Sequence, residues 1–240
     1  MRERSKLVRG LLRLARPLWR IRRLALLSEL VFWDRWIAQR AGDPALAELL
    51  REDRPVPAGL ERLVEQAPPG TVRILEVGAG PIGSVGDRHP TRRVEVVPTD
   101  LLADEYNRVL RRRGFKPPNP TRRADMERLT EQFGAASFDI VVAANCIDHT
   151  GDAPRALEEM LGVLRPGGTL VMDHFEDEGA HQDYAGLHQW NVSVENGRLA
   201  LWNETRRYDV NAALAATCDI AASAIEGQIH VEIRKREAAR

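Results

Sequence analysis

A chain of 240 residues with 43% apolar content is long enough for one large core, or for a domain plus an extension. Its 35 basic and 35 acidic residues cancel, which excludes a global electrostatic pull toward nucleic acid or an anionic membrane. The two cysteines, Cys146 and Cys218, make neither a disulfide framework nor a metal site and suit a reducing cytoplasm, and no apolar run approaches the ~18 residues of a membrane span.

The charge is uneven along the chain. Arg2, Arg4, Lys6, Arg9, Arg13, Arg16, Arg20, Arg22 and Arg23 face only Glu3 in the first 27 residues. They never give way to the apolar stretch of a signal peptide. Leu7, Leu11, Leu14, Leu18 and Ile21 recur every three or four residues, so this arm reads as an amphipathic helix with a basic side, kinked at Pro17. It fits a peripheral membrane contact through residues 1–27 or, more plainly, a solvated basic face. Ser28 is expected to cap a second helix carrying Phe32, Trp33, Trp36 and Ile37, aromatics suited either to the core or to roofing a site. Asp43-Pro44 opens a third helix. Arg54 to Pro57 is a linker, which divides a helical extension, residues 1–57, from a domain at 58–240. Leu60 to Gln66 is a short helix before the central stretch.

That stretch is Arg73 to Gly83. Ile74, Leu75 and Val77 read as a buried strand, and Gly78, Gly80 and Gly83 let the backbone turn sharply and approach a ligand closely. Gly78-x-Gly80-x-x-Gly83 also spells a dinucleotide fingerprint. Glu76, two residues before the first glycine, argues otherwise. A carboxylate there repels a pyrophosphate but welcomes a sulfonium with a free amino group. Gly86 and Pro90 leave room for only a short helix afterwards, which also counts against a phosphate held at a helix N-terminus. Val94 to Val97 is the second strand. It ends at Asp100, placed to accept both hydroxyls of a ribose or to cap a helix from Leu101 to Arg113. Phe138 to Asn145 is a third buried strand. Cys146-Ile147-Asp148-His149, a helix from Pro154 to Leu164, and Pro166-Gly167-Gly168 running into Thr169 to Met172 follow it.

With its acid-x-Gly-x-Gly loop and this strand, loop, helix, Pro-Gly-Gly and strand run, the segment from Arg73 to about Phe175 resembles the class I S-adenosylmethionine-dependent methyltransferases, bacterial ones among them. The resemblance implies an α/β, Rossmann-like, mostly parallel sheet closed by an antiparallel C-terminal hairpin, here Ile220–Ile225 and Gln228–Ile233. It implies S-adenosylmethionine as cofactor, with Glu76, Gly78, Ala79, Gly80, Asp100, Leu101, Asp125, Met126 and Asn145 as its candidate contacts. Asp125 would take the adenine amino group and Met126 would pack on the ring.

Methyl transfer from a sulfonium is an in-line displacement. The acceptor must therefore be aligned and shielded from water, and an acceptor that carries a proton can be relieved of it by the enzyme. Histidine suits the last task because its ordinary pKa lies near neutrality. His149 and His188, with Asp148, are the candidate catalytic residues, and His174, His181 and Trp190 the candidate substrate contacts. The polar segment to Asn191 and a hairpin turning at Asn196-Gly197 read as a substrate lid, about 176–205. Trp190 and Trp202 would line a pocket or pair across that hairpin. The expected reaction is methylation of a small-molecule acceptor at oxygen in the cytoplasm, a saccharide or envelope precursor or a secondary metabolite, with no metal. A dinucleotide oxidoreductase is the alternative. Nucleic acid is the weaker substrate class, because Asn145-Cys146-Ile147-Asp148 stands where amino-methylating enzymes carry Asn-Pro-Pro-aromatic. Phosphate contacts from the basic arm keep an RNA methyltransferase as a minor alternative. Cys146 lacks the flanking proline of thiolate nucleophiles.

Overall fold

The computed structural model describes residues 22–237, so the expected kink at Pro17 and most of the basic arm lie outside them. A seven-stranded sheet runs in the order β3-β2-β1-β4-β5-β10-β9. Its strands are β1 (Val72–Val77), β2 (Val94–Asp100), β3 (Arg122–Arg123), β4 (Phe138–Ala144), β5 (Leu164–Phe175), β9 (Cys218–Ile225) and β10 (Gln228–Lys235). β1 to β5 are parallel neighbours, and β10 is antiparallel to both β5 and β9. This is the expected doubly covered sheet with an antiparallel closing hairpin. The central strands β1 and β4 are buried along nearly their whole length, as parallel strands covered on both faces must be.

The helices are α1 (Arg22–Gln39), α2 (Pro44–Leu49), α3 (Ala58–Gln66), α4 (Ala103–Arg112), α5 (Leu129–Phe133), α6 (Ala153–Val163), α7 (Glu178–His181) and α8 (Val210–Leu214). Asp43 caps α2 by accepting from the Ala45 N–H, with Pro44 in the first turn, and Asp209 caps α8 through the Ala212 N–H. Ser28 does not cap a second helix. α1 runs through it unbroken, and its hydroxyl donates back to the Ala25 carbonyl, satisfying within the helix the group that would otherwise compete for a cap. α1 leaves Leu27 and Phe32 more than half exposed. No helix among the described residues is long and apolar enough to cross a membrane.

Two local expectations change. No helix forms between β1 and β2: residues 81–93 are irregular, with turns, bends and one isolated bridge from Arg88 to Pro55, since Pro81, Gly83, Gly86 and Pro90 leave too few residues to repay nucleation. Asp100 does not cap a helix at Leu101; α4 begins at Ala103, and Asp100 instead accepts from the Leu102 N–H at 2.8 Å. The segment after β5 builds a separate antiparallel sheet of β6 (Asn191–Glu195), β7 (Arg198–Trp202) and β8 (Arg207–Asp209). Asn196 and Gly197 turn its first hairpin with φ of 52° and 73°, the left-handed pair that a type I′ turn needs. Asn191 pairs with Trp202 across it, so Trp190 is not the cross-strand partner of Trp202.

Candidate active site

A cavity of about 320 Å³ opens at the carboxyl ends of β1, β2 and β4. Its wall brings together all nine residues expected to touch a cofactor: Glu76, Gly78, Ala79, Gly80, Asp100, Leu101, Asp125, Met126 and Asn145. Gly78 and Gly80 both take left-handed φ, at 64° and 62°. A Cβ on Gly78 would lie 2.3 Å from Cys146 Cβ, and one on Gly80 3.1 Å from the Trp33 ring. The loop after β1 is thus pressed between the end of β4 and α1, a fit only bare backbone allows.

Glu76 lines this cavity, but its carboxylate is already engaged. Oε1 accepts from the Ser84 N–H at 2.6 Å and the Ser84 hydroxyl at 2.7 Å, and Oε2 faces the Val85 N–H. Glu76 therefore organises the helix-less segment after the glycine loop. Both of its oxygens face donors of that segment. Burial pushes its pKa up against the pull of those donors and of Arg54. Asp100 accepts from the Gly80 N–H at 3.1 Å as well as from Leu102. Its carboxyl is pushed up to about 6, chiefly by burial, with those two N–H groups opposing and Glu29 adding to the rise. Asp125 accepts from the Glu127 N–H in a turn ahead of α5.

The other end of the site is a cluster of histidines around one carboxylate. A single 3₁₀ turn, Ile147–His149, follows β4 and buries Asp148 completely. Asp148 Oδ1 lies 3.0 Å from His174 Nε2, and Oδ2 lies 2.6 Å from His188 Nδ1. His149 Nε2 lies 3.2 Å from His188 Nδ1, with the rings edge to face. Burial alone would raise the Asp148 pKa, but the His149 charge and the bonds from His174 and His188 outweigh it and hold the carboxyl below the usual carboxylate range. His149 is lowered, by burial first, whereas His174 and His188 overcome burial through their Asp148 bonds and are raised.

Of the acceptor-side candidates, Asp148, His149 and His188 meet, and His149 stands on the cavity wall. His174 does not reach a substrate: it is 5% exposed, with Nδ1 2.7 Å from the Phe175 carbonyl and Nε2 on Asp148. Two acceptors facing two ring nitrogens require both to donate, so His174 supports Asp148 from behind. His181 is exposed at the end of α7 and stands on neither the cofactor-side cavity nor its neighbour. Trp190 is buried at 1% exposure, its Nε1 toward the Gly151 carbonyl; it borders the neighbouring cavity of about 410 Å³. That cavity shares Arg22, His149, Thr150 and Leu187 with the first. Cys146 is no nucleophile: burial pushes its thiol well up, and Sγ points at the Val77 carbonyl.

The roof was the least legible part. Arg22, Leu26, Glu29 and Trp33 of α1 line the cavity, and Trp33 Nε1 donates to Glu29 at 2.7 Å. Their spacing of four, three and four residues places them on one helical face, a signal present in the sequence, though not pointing at any particular partner.

A parallel α/β sheet with a glycine loop, a paired acid after β2 and a ligand cavity at its carboxyl edge defines a nucleoside-cofactor-binding protein of the Rossmann-like class. Residues 75–172 match the family model described as a methyltransferase domain, which supports a class I, S-adenosylmethionine-dependent methyltransferase. The chain is 32% identical over 124 residues to an uncharacterised methyltransferase of Mycobacterium tuberculosis, covering 51% of this chain and 60% of that one. It is 29% identical over 146 residues to polyketide synthase 19 of Gibberella fujikuroi, covering 58% of this chain and 6% of that protein. In fold it is similar to the citrinin polyketide synthase CMeT domain, with a TM-score of 0.50 and 20% identity, over 75% of this chain and 51% of that one. The chain thus spans less than two thirds of the length of each of these relatives.

Proposed function

We propose that this chain binds S-adenosylmethionine in the cavity above β1, β2 and β4 and transfers its methyl group to an oxygen of a small-molecule acceptor. The observation that carries the reading is the shared wall: nine candidate cofactor residues and His149 border one cavity. In this reading Asp100 takes the ribose hydroxyls, Asp125 the adenine amino group and Met126 the face of the ring. Asn145 and the Gly78–Gly80 loop hold the amino-acid end, under the negative field of Glu76. The acceptor enters from the second cavity, whose wall includes Tyr184, Gln189 and Thr205, so that the segment 176–205 acts as a substrate lid. At the boundary His149 and His188, oriented by Asp148, align the acceptor hydroxyl. The oxygen lone pair forms the new C–O bond, the C–S bond pair returns to sulfur, and the hydroxyl proton leaves on the histidine side. A carbon acceptor beside a carbonyl is the second reading, favoured by the matches to polyketide synthases.

Thermal shift separates the cofactor classes. S-adenosylhomocysteine is expected to raise the melting temperature and NAD to leave it unchanged; stabilisation by NAD alone would sink the proposal. Asp100 gives a pH test. Its folded pKa of about 6 lies above the ordinary 3.8, so its contribution to the stability of the free protein is complete below about pH 4 and lost as pH rises through about 6, on the order of 3 kcal/mol. Two ribose hydroxyl donors favour the ionised form. Affinity for S-adenosylhomocysteine should therefore fall as pH is lowered through about 6, and Asp100→Asn should weaken it about 10–100-fold by removing a charged acceptor. Calorimetric titration at pH 5.5 and 7.5 measures both; a pH-independent affinity would place Asp100 away from the ribose.

A further inference from the structure

We infer that Asp148, His149 and His188 form a binding site for one divalent transition-metal ion, with an open coordination position toward the boundary of the two cavities. The site departs from the metal-free expectation raised by the cysteine count, because its ligands are imidazoles and a carboxylate drawn from distant parts of the chain. It rests on the methyl-transfer reading only for what the open position serves, namely seating the acceptor oxygen; with the ion bound, that hydroxyl's pKa would fall and its proton would pass to water on the histidine side rather than to an imidazole already engaged.

The argument begins with convergence. Asp148 Oδ2, His149 Nε2 and His188 Nδ1 all lie within 4.8 Å of one another. Their pairwise separations are 2.6, 3.2 and 3.7 Å. Around a tetrahedral ion with nitrogen and oxygen ligands at ~2.0–2.1 Å, neighbouring ligand atoms stand ~3.3 Å apart. The 3.2 and 3.7 Å separations bracket that spacing, while the 2.6 Å Asp148–His188 pair, now a hydrogen bond, would open by about 0.7 Å as the ion replaces its proton. Two imidazoles and one carboxylate suit Zn²⁺ or Fe²⁺ better than Mg²⁺ or Ca²⁺, which prefer all-oxygen sets.

Proton accounting points the same way. The 3.2 Å approach of two ring nitrogens requires something positive between their lone pairs. A proton on His188 Nδ1 is already directed at Asp148 Oδ2, 2.6 Å away, and serves His149 only by being shared. One cation satisfies all three lone pairs at once. The support behind the site is in place as well. His174 Nε2 holds Asp148 Oδ1 and leaves Oδ2 for the ion, the outer-shell arrangement that orients metal ligands. The Gln189 N–H donates to the Asp148 carbonyl at 2.9 Å, pinning the neighbouring His188 against the 3₁₀ turn. Asp148 is fully buried, while the side chains of His149 and His188 keep 18% and 25% exposure. An ion here would be covered on the carboxylate side and reachable from the histidine side. Three protein ligands plus one open position is the pattern of catalytic rather than structural sites.

The test uses the full chain, stripped with a chelator and titrated with Co²⁺ and then Zn²⁺ alone. The expected result is one Co²⁺ per chain with visible absorption of low-symmetry coordination, displaced by Zn²⁺. His149→Ala and His188→Ala should each weaken uptake by about 100-fold, and His174→Asn by about 10–100-fold, the range for outer-shell changes. Affinity for S-adenosylhomocysteine is measured beside each titration to confirm folding. Absence of stoichiometric uptake in a protein that still binds S-adenosylhomocysteine would overturn the site and leave the methyl-transfer reading standing. Uptake undiminished in both His149→Ala and His188→Ala would also overturn it. Uptake without any binding of S-adenosylhomocysteine would preserve the metal site and remove the cofactor reading instead.

Discussion

Gly78→Ala is expected to lower stability by roughly 2–5 kcal/mol and to abolish measurable binding of S-adenosylhomocysteine. Two independent costs add. The residue sits at φ 64°, where an L side chain costs ~1–2 kcal/mol. The new methyl would also lie 2.3 Å from Cys146 Cβ and 2.7 Å from its Sγ, and relieving such overlap in a packed interior costs about 1–3 kcal/mol. Neither neighbour can yield cheaply. Cys146 is buried and starts the turn that positions Asp148 and His149, so the overlap is relieved only by moving the loop after β1 or the end of β4, and both belong to the cavity wall. Gly114→Ala is the internal control. It shares the left-handed φ, at 75°, but has nothing within 4 Å of its added methyl, so only the conformational cost of ~1–2 kcal/mol should appear. Melting curves and calorimetry of the two variants separate strain from contact. Equal losses, or retained binding in Gly78→Ala, would mean that the loop is not held against Cys146 as described.

What the sequence made legible was local. β1, its glycine loop, Asp100 and the Asp125–Met126 turn each fall within a few residues of a strand end. Parallel topology brings strand ends to one edge, so placing the elements placed the cofactor wall. The misreadings needed information from elsewhere in the chain. His174 was expected beside a substrate because it follows a buried strand. Its face is fixed by pairing with β10: His174 lies opposite Ile229 and Asp173 opposite His230, and cross-strand partners share a face. Ile229 is buried, so His174 turns inward behind Asp148. Gly86 and Pro90 announced a stunted helix after Gly83, but its complete replacement by irregular chain depends on Glu76 gathering the Ser84 and Val85 N–H groups. α1 carried its cavity-facing residues at helical spacing, yet its low amphipathic contrast hid which face was inward. The convergence of Asp148, His149 and His188 joins positions some 40 residues apart in sequence, and depends on the segment between β5 and β6 folding back over the 3₁₀ turn.

The second large effect falls on turnover. His149→Ala and His188→Ala are each expected to lower kcat by about 10²–10⁴-fold, the usual contribution of a positioned proton-handling group, while changing the affinity for S-adenosylhomocysteine less than about threefold. The separation follows from where these side chains stand. His149 is on the cavity wall beyond the cofactor residues, and His188 belongs to a segment whose neighbours, Gly186, Leu187 and Gln189, border the acceptor-side cavity. The nine candidate cofactor contacts include neither histidine. The two losses should not add. Both rings converge on Asp148 Oδ2, so the double variant should resemble the more damaged single one, as groups acting as a unit do. Single-turnover transfer from labelled S-adenosylmethionine, measured beside equilibrium binding, reads both quantities. Unchanged turnover in both variants would remove the cluster from the reaction. Equal losses in turnover and cofactor affinity would return these histidines to the cofactor wall and leave the acceptor side without an assigned residue.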